Sequence, residues 1–332
     1  MNILKKTIPV FLMILLIAGV FTSCGSSDKK QSDKTLQIVT TVFPAYDWTK
    51  EVLGDRAKDA ELTMLLDDGV DLHSYQPTAE DLEKIASCDL FIYVGGESDE
   101  WVEDALKSKT NKNRVEINLM DALGDSVKEE EEVEGMQAED EHEHEGDEAE
   151  SEEPEQDEHI WLSLRNAEVC TQAIADHLKK LDPSNKTAYE NNETAYKEKL
   201  TGLDKEYQDT VDHAKRKTLL FADRFPFRYL ADDYGLKYYA AFKGCSAETE
   251  ASFKTITFLA NKADEENLPY VMTIEGSDQK IAKSVISNTK KKIQQIMTMD
   301  SMQSTTSQDV KDGKSYLSVM EENLSVLQKA LN

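Results

Sequence analysis

The 332-residue chain reads as an α/β protein of two lobes, each with a central, mostly parallel sheet flanked by helices, joined by one long helix. Three observations predict this. Short apolar runs alternate with segments of helical period, the pattern of parallel sheets covered on both faces. The alternation occurs twice, with a long polar helical stretch from about Asn185 to His213 between the two sets. Once an apolar leader is set aside, roughly 300 residues remain, enough for two domains with real cores.

The elements follow in chain order. MNILKKTIPVFLMILLIAGVFTSCGSS has a basic start at Lys5 and Lys6, an apolar run from about Ile8 to Phe21, and small residues ending at Cys24. The apolar run is too short for a spanning helix and reads as a secretory signal peptide over 1–23. Thr22, Ser23 and Cys24 have the form of a bacterial lipoprotein cleavage box, with Phe21 unusual at its first position, which makes Cys24 the expected site of lipidation. The polar segment 24–34 suits a flexible tether. The first lobe is expected over 35–184, with strands LQIVTTV (36–42), ELTMLL (61–66), DLFIYVG (89–95) and RVEINL (114–119). The connecting helix is expected over 185–215. The second lobe (216–332) then carries strands TLLFA (218–222), KYYAAF (237–242), YVMTI (270–274) and QQIMTM (294–299), and SYLSVMEENLSVLQKAL closes the chain as a helix. In such folds ligands bind at the carboxyl ends of the strands.

The formal net charge is −27, which argues against a nucleic-acid surface. That charge is not evenly spread. Residues 125–158 hold nineteen Asp or Glu against the single Lys128 and supply −18 of it. A segment so charged and so poor in apolar residues cannot bury a core, and it is expected to be a disordered loop in the first lobe. Beyond Cys24 the remaining cysteines are Cys88, Cys170 and Cys245. An odd count without close spacing forms neither a disulfide framework nor a cysteine-based zinc motif; one pair could form, and nothing in the spacing says which.

Three of the six histidines fall in AEDEHEHEGDEAESEEPEQDEHIWLS (138–163). His142 and His144 sit two apart inside the acidic run, suited to weak chelation only. His159 stands where Ile160, Trp161 and Leu162 bring the chain back to a core, so its neighbours anchor it. His73, in LLDDGVDLHSYQPTAEDLEKI, lies on a strand-end loop before a helix that Pro77, Thr78 and Asp81 are placed to start. Taken alone, it reads first as a surface histidine.

Together these residues resemble the metal-binding solute receptors of bacterial ABC transporters, particularly the zinc-binding lipoproteins. Gly69, His73 and Pro77 match that family's Gly-x-x-x-His-x-x-x-Pro block. DEHIWL, with Asp157, His159, Trp161 and Leu162, matches Asp-Pro-His-x-Trp-Leu with Glu158 in place of the proline. An acidic, histidine-bearing loop before the second block belongs to the zinc-binding branch. The resemblance implies an exported receptor, tethered to the outer face of the cytoplasmic membrane by lipid on Cys24, monomeric, and delivering its ion to an ABC transporter permease. It also implies a third histidine in a segment that here reads LFADRFPFRYLADDYGL. Tyr229, Gly235 and Leu236 fit, but the histidine position falls on Arg224 or Asp223. A guanidinium cannot ligate a metal, so Asp223 is the expected substitute, its alternatives being a helix cap or a partner for Arg224. The family's late carboxylate corresponds by position to Asp300.

The expected site is thus His73, His159, Asp223 and Asp300. Imidazoles favour Zn2+, while a mixed nitrogen and oxygen set also accepts Mn2+; the acidic histidine loop points to zinc. Cys245, in KGCSAETEASFKTI with Glu248 and Glu250, is a softer reserve ligand. Glu275 and Asp278 are explained by a helix N-terminus, His177 by a helix surface and His213 by a helix end. No HExxH, Gly-x-Ser-x-Gly or phosphate-cradling glycine loop occurs, so a binding protein is expected and not an enzyme, with a surface adhesin or metal-storage lipoprotein as the other non-enzyme reading.

Overall fold

The computed structural model describes residues 35–137, 155–246 and 250–332. The leader with Cys24, the tether, His142, His144 and Glu248 lie outside the described residues. In the first lobe β1 (Leu36–Thr40) leads into α1 (Phe43–Leu53), then β2 (Ala60–Met64), α2 (Ala79–Ser87) and β3 (Leu90–Tyr93). There follow α3 (Trp101–Lys107), β4 (Val115–Asn118), α4 (Leu119–Leu123) and, beyond the acidic segment, α5 (Leu164–Leu181). The strands order as β2-β1-β3-β4, all parallel, with Ile38 level with both Leu62 and Leu90 and Ile92 level with Ile117.

The long helix α6 spans Lys186–Asp212, 27 residues or about 40 Å. Its buried residues are Tyr189, Tyr196, Leu200, Leu203, Tyr207 and Val211. Steps of three, four and seven keep them on one stripe, which lets an otherwise polar helix pack. The second lobe contains β5 (Thr218–Arg224), α7 (Arg228–Tyr234), β6 (Lys237–Phe242), α8 (Phe253–Glu265), β7 (Tyr270–Ile274), α9 (Lys280–Asn288), β8 (Gln295–Met299) and α10 (Ser307–Lys311). Its sheet is β6-β5-β7-β8, again all parallel. The closing helix α11 (Tyr316–Ala330) returns to the first lobe, where Asp47 of α1 accepts the Tyr316 N–H at 2.8 Å and Trp48 meets Tyr316 edge to face at 5.2 Å. Tyr207 of α6 donates to the Met320 carbonyl of α11 at 2.6 Å. Among the described residues, no helix is long and apolar enough to cross a membrane.

Three departures from the sequence-based expectations have physical causes. First, the two ends of 125–158 are held in place. The Glu130 N–H donates to the Glu155 carbonyl at 2.8 Å, Asp157 N–H to Lys128 at 2.8 Å, and Gln137 N–H to Ala241 at 2.9 Å. Cations of the second lobe draw in the carboxylates: Arg228 and the Tyr238 hydroxyl meet Glu131, while Lys262 meets Glu134. Charge density alone does not melt a segment when the surface beneath it supplies counter-charges. Second, Cys88, Cys170 and Cys245 are all free thiols. Burial pushes Cys88 and Cys170 up to about 12, which leaves them inert. Third, Glu275 is not a helix-end residue. It accepts from Ser301 N–H at 2.7 Å, Ser301 Oγ at 2.7 Å and Gln303 N–H at 3.1 Å, clamping the loop after β8. Asp278 does serve the start of α9, accepting from the Lys280 N–H at 2.9 Å.

Candidate metal centre

His73 follows Asp71, whose Oδ1 accepts the His73 N–H at 3.1 Å and starts a single 3-10 turn over Leu72–Ser74. Upstream, Gly69 takes φ +86°, a left-handed conformation that leaves its neighbours free to pair with the second lobe. There Asp68 bridges Thr306, and the Ser307 N–H donates to the Asp67 carbonyl at 2.7 Å. Downstream, Thr78 and Asp81 form the expected reciprocal cap of α2. The loop carrying His73 is therefore fixed at both ends.

His159 is completely buried. Asp157 Oδ1 accepts both its backbone N–H, at 2.9 Å, and its Nδ1, at 2.8 Å. Tyr229 in turn donates its hydroxyl to the Asp157 carbonyl at 2.8 Å. Trp161 packs its ring 5.4 Å from the His159 ring and donates Nε1–H to Ser301 O at 2.8 Å, tying this re-entry turn to the loop after β8. On the other imidazole, Nδ1 of His73 lies 2.7 Å from Ser98 Oγ. Both rings are thus held through Nδ1 and turn Nε2 toward each other, 3.3 Å apart. A tetrahedral ion with metal–nitrogen bonds of about 2.0–2.1 Å holds two nitrogens about 3.3 Å apart.

The electrostatics agree with a cation site. Burial first, and then the adjacent His159 ring, push His73 down to about 3, so it is a neutral imidazole with a lone pair to give at neutral pH. Burial also opposes charge on His159, but Asp157, Glu158 and Glu130 outweigh it and raise its pKa. Buried Glu158 accepts from the Ser98 N–H at 2.6 Å through Oε1, while its Oε2 has no hydrogen-bond partner and lies 3.8 Å from Nδ1 of His73.

One ligand atom from each of His73, His159 and Cys245 lies within 4.8 Å of the other two. Asp223 and Asp300 do not join this cluster. Asp223 falls where the register of β5 against β6 shifts, between Phe221 and Arg224. Such an irregularity re-aims a side chain, and its Oδ2 accepts the Ile274 N–H of β7 at 3.4 Å. Asp300 accepts the Met302 N–H at 2.8 Å and pairs with Lys314 at 2.7 Å. Joining an ion would cost either carboxylate its present partner. Arg224 reaches across the cleft to Asp71. His177 and His213 hydrogen-bond the carbonyls of Ala173 and Asp209, each one helical turn back.

Sequence reasoning named Asp157 as part of the second block but assigned no residue to orient the imidazoles. Asp157 was readable in principle, two positions before His159; Ser98 carries no local signal, because only the fold brings the loop after β3 beside His73.

Comparison with known proteins shows which family the whole chain resembles. Residues 38–330 match the family described as zinc-uptake complex component A, periplasmic (ZnuA). The chain is 33% identical over 324 residues to the zinc-binding lipoprotein AdcA of Streptococcus pneumoniae, covering 96% of this chain but 60% of that protein. With the high-affinity zinc uptake system protein ZnuA of Bacillus subtilis it shares 31% identity over 326 residues, covering 96% of this chain and 97% of the relative. The Zn(II)-bound ZnuA-like domain of Streptococcus pneumoniae AdcA superposes with a TM-score of 0.68 at 30% identity, over 90% of this chain and 99% of that domain. The chain therefore spans under two thirds of the length of AdcA and nearly all of the Bacillus relative. With a family match across both lobes and paired imidazoles at the cleft, this chain belongs to the ZnuA family of zinc-uptake component A proteins.

Proposed function

We propose that this protein is an exported receptor that captures a zinc ion between Nε2 of His73 and Nε2 of His159 and hands it to an ABC transporter permease. The observation that carries the reading is the pair of facing nitrogens, 3.3 Å apart, each ring locked through Nδ1. Ligands fixed in advance bind without the cost of ordering them. Names of the relatives, zinc-binding lipoprotein and zinc uptake protein, support the same ion, and the lipoprotein name supports a membrane-tethered setting, for which the sequence offers Cys24 as the lipidation site. A receptor for transport needs reversible closure rather than an activated water, so no catalytic step is assigned. His73 comes from the first lobe, and the Asp71–Arg224 and Asp67–Ser307 pairs join the lobes around it. An ion that binds the closed form better than the open one shifts the population toward closure. Docking on the permease then reopens the cleft.

The test is a zinc titration of the full chain in competition with a chelating dye. His73→Ala or His159→Ala should each abolish tight binding. Undiminished affinity in both variants would remove the imidazole pair from the site and overturn the reading.

A further inference from the structure

We propose that the Cys245 sulfur is the third protein ligand of the captured ion, giving a two-nitrogen, one-sulfur site that selects a thiophilic divalent cation such as zinc over manganese. This rests on the capture reading above and names the chemical class of its cargo.

Cys245 lies on the loop after β6, at the carboxyl end of that strand. Its ligand atom is already within 4.8 Å of one nitrogen on each imidazole. In a tetrahedral site with metal–sulfur bonds of about 2.3 Å, the sulfur-to-nitrogen edge is about 3.6 Å, so a movement of about 1 Å completes the set. Two features hold the loop there. A Cβ on Gly244 would stand 3.1 Å from Cε1 and from Nδ1 of His159, so the missing side chain lets the backbone lie against that ring and project the next residue into the site. The Cys245 N–H donates to Oε1 of Glu130 at 2.9 Å, and Glu130 sits on the ordered flank of the acidic segment. Oε2 of Glu130 is buried and lies 3.7 Å from Nζ of Lys243, which helps to fix the carboxylate under the loop.

The other uses of this thiol fit poorly. Cys88 and Cys170 are themselves free and buried, so neither is its disulfide partner. The carboxylates of Glu130, Asp157 and Glu158 surround it, the opposite of the electropositive setting that activates a nucleophilic cysteine. A divalent cation satisfies both: the thiol proton leaves to solvent, the sulfur binds the ion, and the ion balances the buried carboxylates. Arg224, which enters the same cleft, is engaged by Asp71 and has no lone pair to offer. Sulfur favours zinc and disfavours manganese, which prefers carboxylate and water oxygens.

The test loads the full chain with cobalt(II) alone and records its absorption spectrum. We expect a sulfur-to-cobalt charge-transfer band in the near ultraviolet, absent from Cys245→Ser. In that variant zinc affinity should fall by more than the roughly 10–100-fold typical of losing an outer partner of a metal ligand, and the preference for zinc over manganese should narrow. Should Cys245→Ser not fold, alkylation of the native protein mapped by mass spectrometry decides: bound zinc should protect Cys245. Stoichiometric cobalt binding without the band, or alkylation of Cys245 unaffected by zinc, overturns sulfur ligation and leaves the capture reading standing. Failure of the native chain to bind either metal overturns both.

Discussion

With Nδ1 of His159 held by Asp157 and Nδ1 of His73 beside Ser98, each imidazole is oriented with its Nε2 facing the other ring. Asp157 does the larger share, because its Oδ1 fixes both the backbone and the ring of the same residue. Asp157→Ala should lower zinc affinity about 10–100-fold while the far-ultraviolet circular dichroism stays native. Asp157→Asn keeps an oxygen acceptor but loses the charge, and should fall between that variant and the native chain in the same dye competition. These roles were only partly legible in the sequence. His73 and His159 stand in recognisable blocks, whereas Ser98, Gly244 and Glu130 enter through distant loops that only the folded backbone brings together. Cys245 was readable as a soft donor but not as a neighbour of both histidines, since nothing in the chain locates the loop after β6.

The strands were the most legible elements. Runs such as LQIVT and YVMTI are dense in β-branched and apolar residues, and sheets buried on both faces demand that composition. The irregularity in β5 was not legible, and it is what turns Asp223 toward Ile274. The acidic segment shows the limit of composition most clearly: its ends pack because Arg228, Lys243 and Lys262 meet Glu131, Glu130 and Glu134. His142 and His144 lie outside the described residues; with the ion held by His73 and His159, changing both to Ala should leave the tight zinc affinity unchanged in a dye competition. A collapse of affinity would make them part of the site. The junction of α1 and α11 carries a different prediction. Burial pushes Asp47 up to about 6, against the opposing hydrogen bond from the Tyr316 N–H. A carboxyl raised above its unfolded value costs no stability when both states are protonated, and costs progressively more as pH rises through the folded value. Asp47→Asn keeps an oxygen for Tyr316 and should raise stability at pH 7 by about 1–3 kcal/mol, with little gain near pH 4, as read by urea denaturation at the two pH values.

Across the whole molecule, the lobes meet on both sides of the site. At the mouth, Asp71 joins Arg224 and Asp67 joins Ser307; deeper, Trp161 joins Ser301, and α11 ties the second lobe back to α1. On the proposed function, ion capture, closure and stability form one linked equilibrium, in which the ion stabilises the form that presents its ligands together. The central claim is that the ion sits between the two imidazoles, and a zinc-soaked crystal with anomalous scattering at the zinc edge tests it most directly. One strong peak is expected within bonding distance of Nε2 of both His73 and His159. A dominant peak held by carboxylates alone, whether Asp223, Asp300 or the acidic segment, with both imidazoles unliganded, would contradict it.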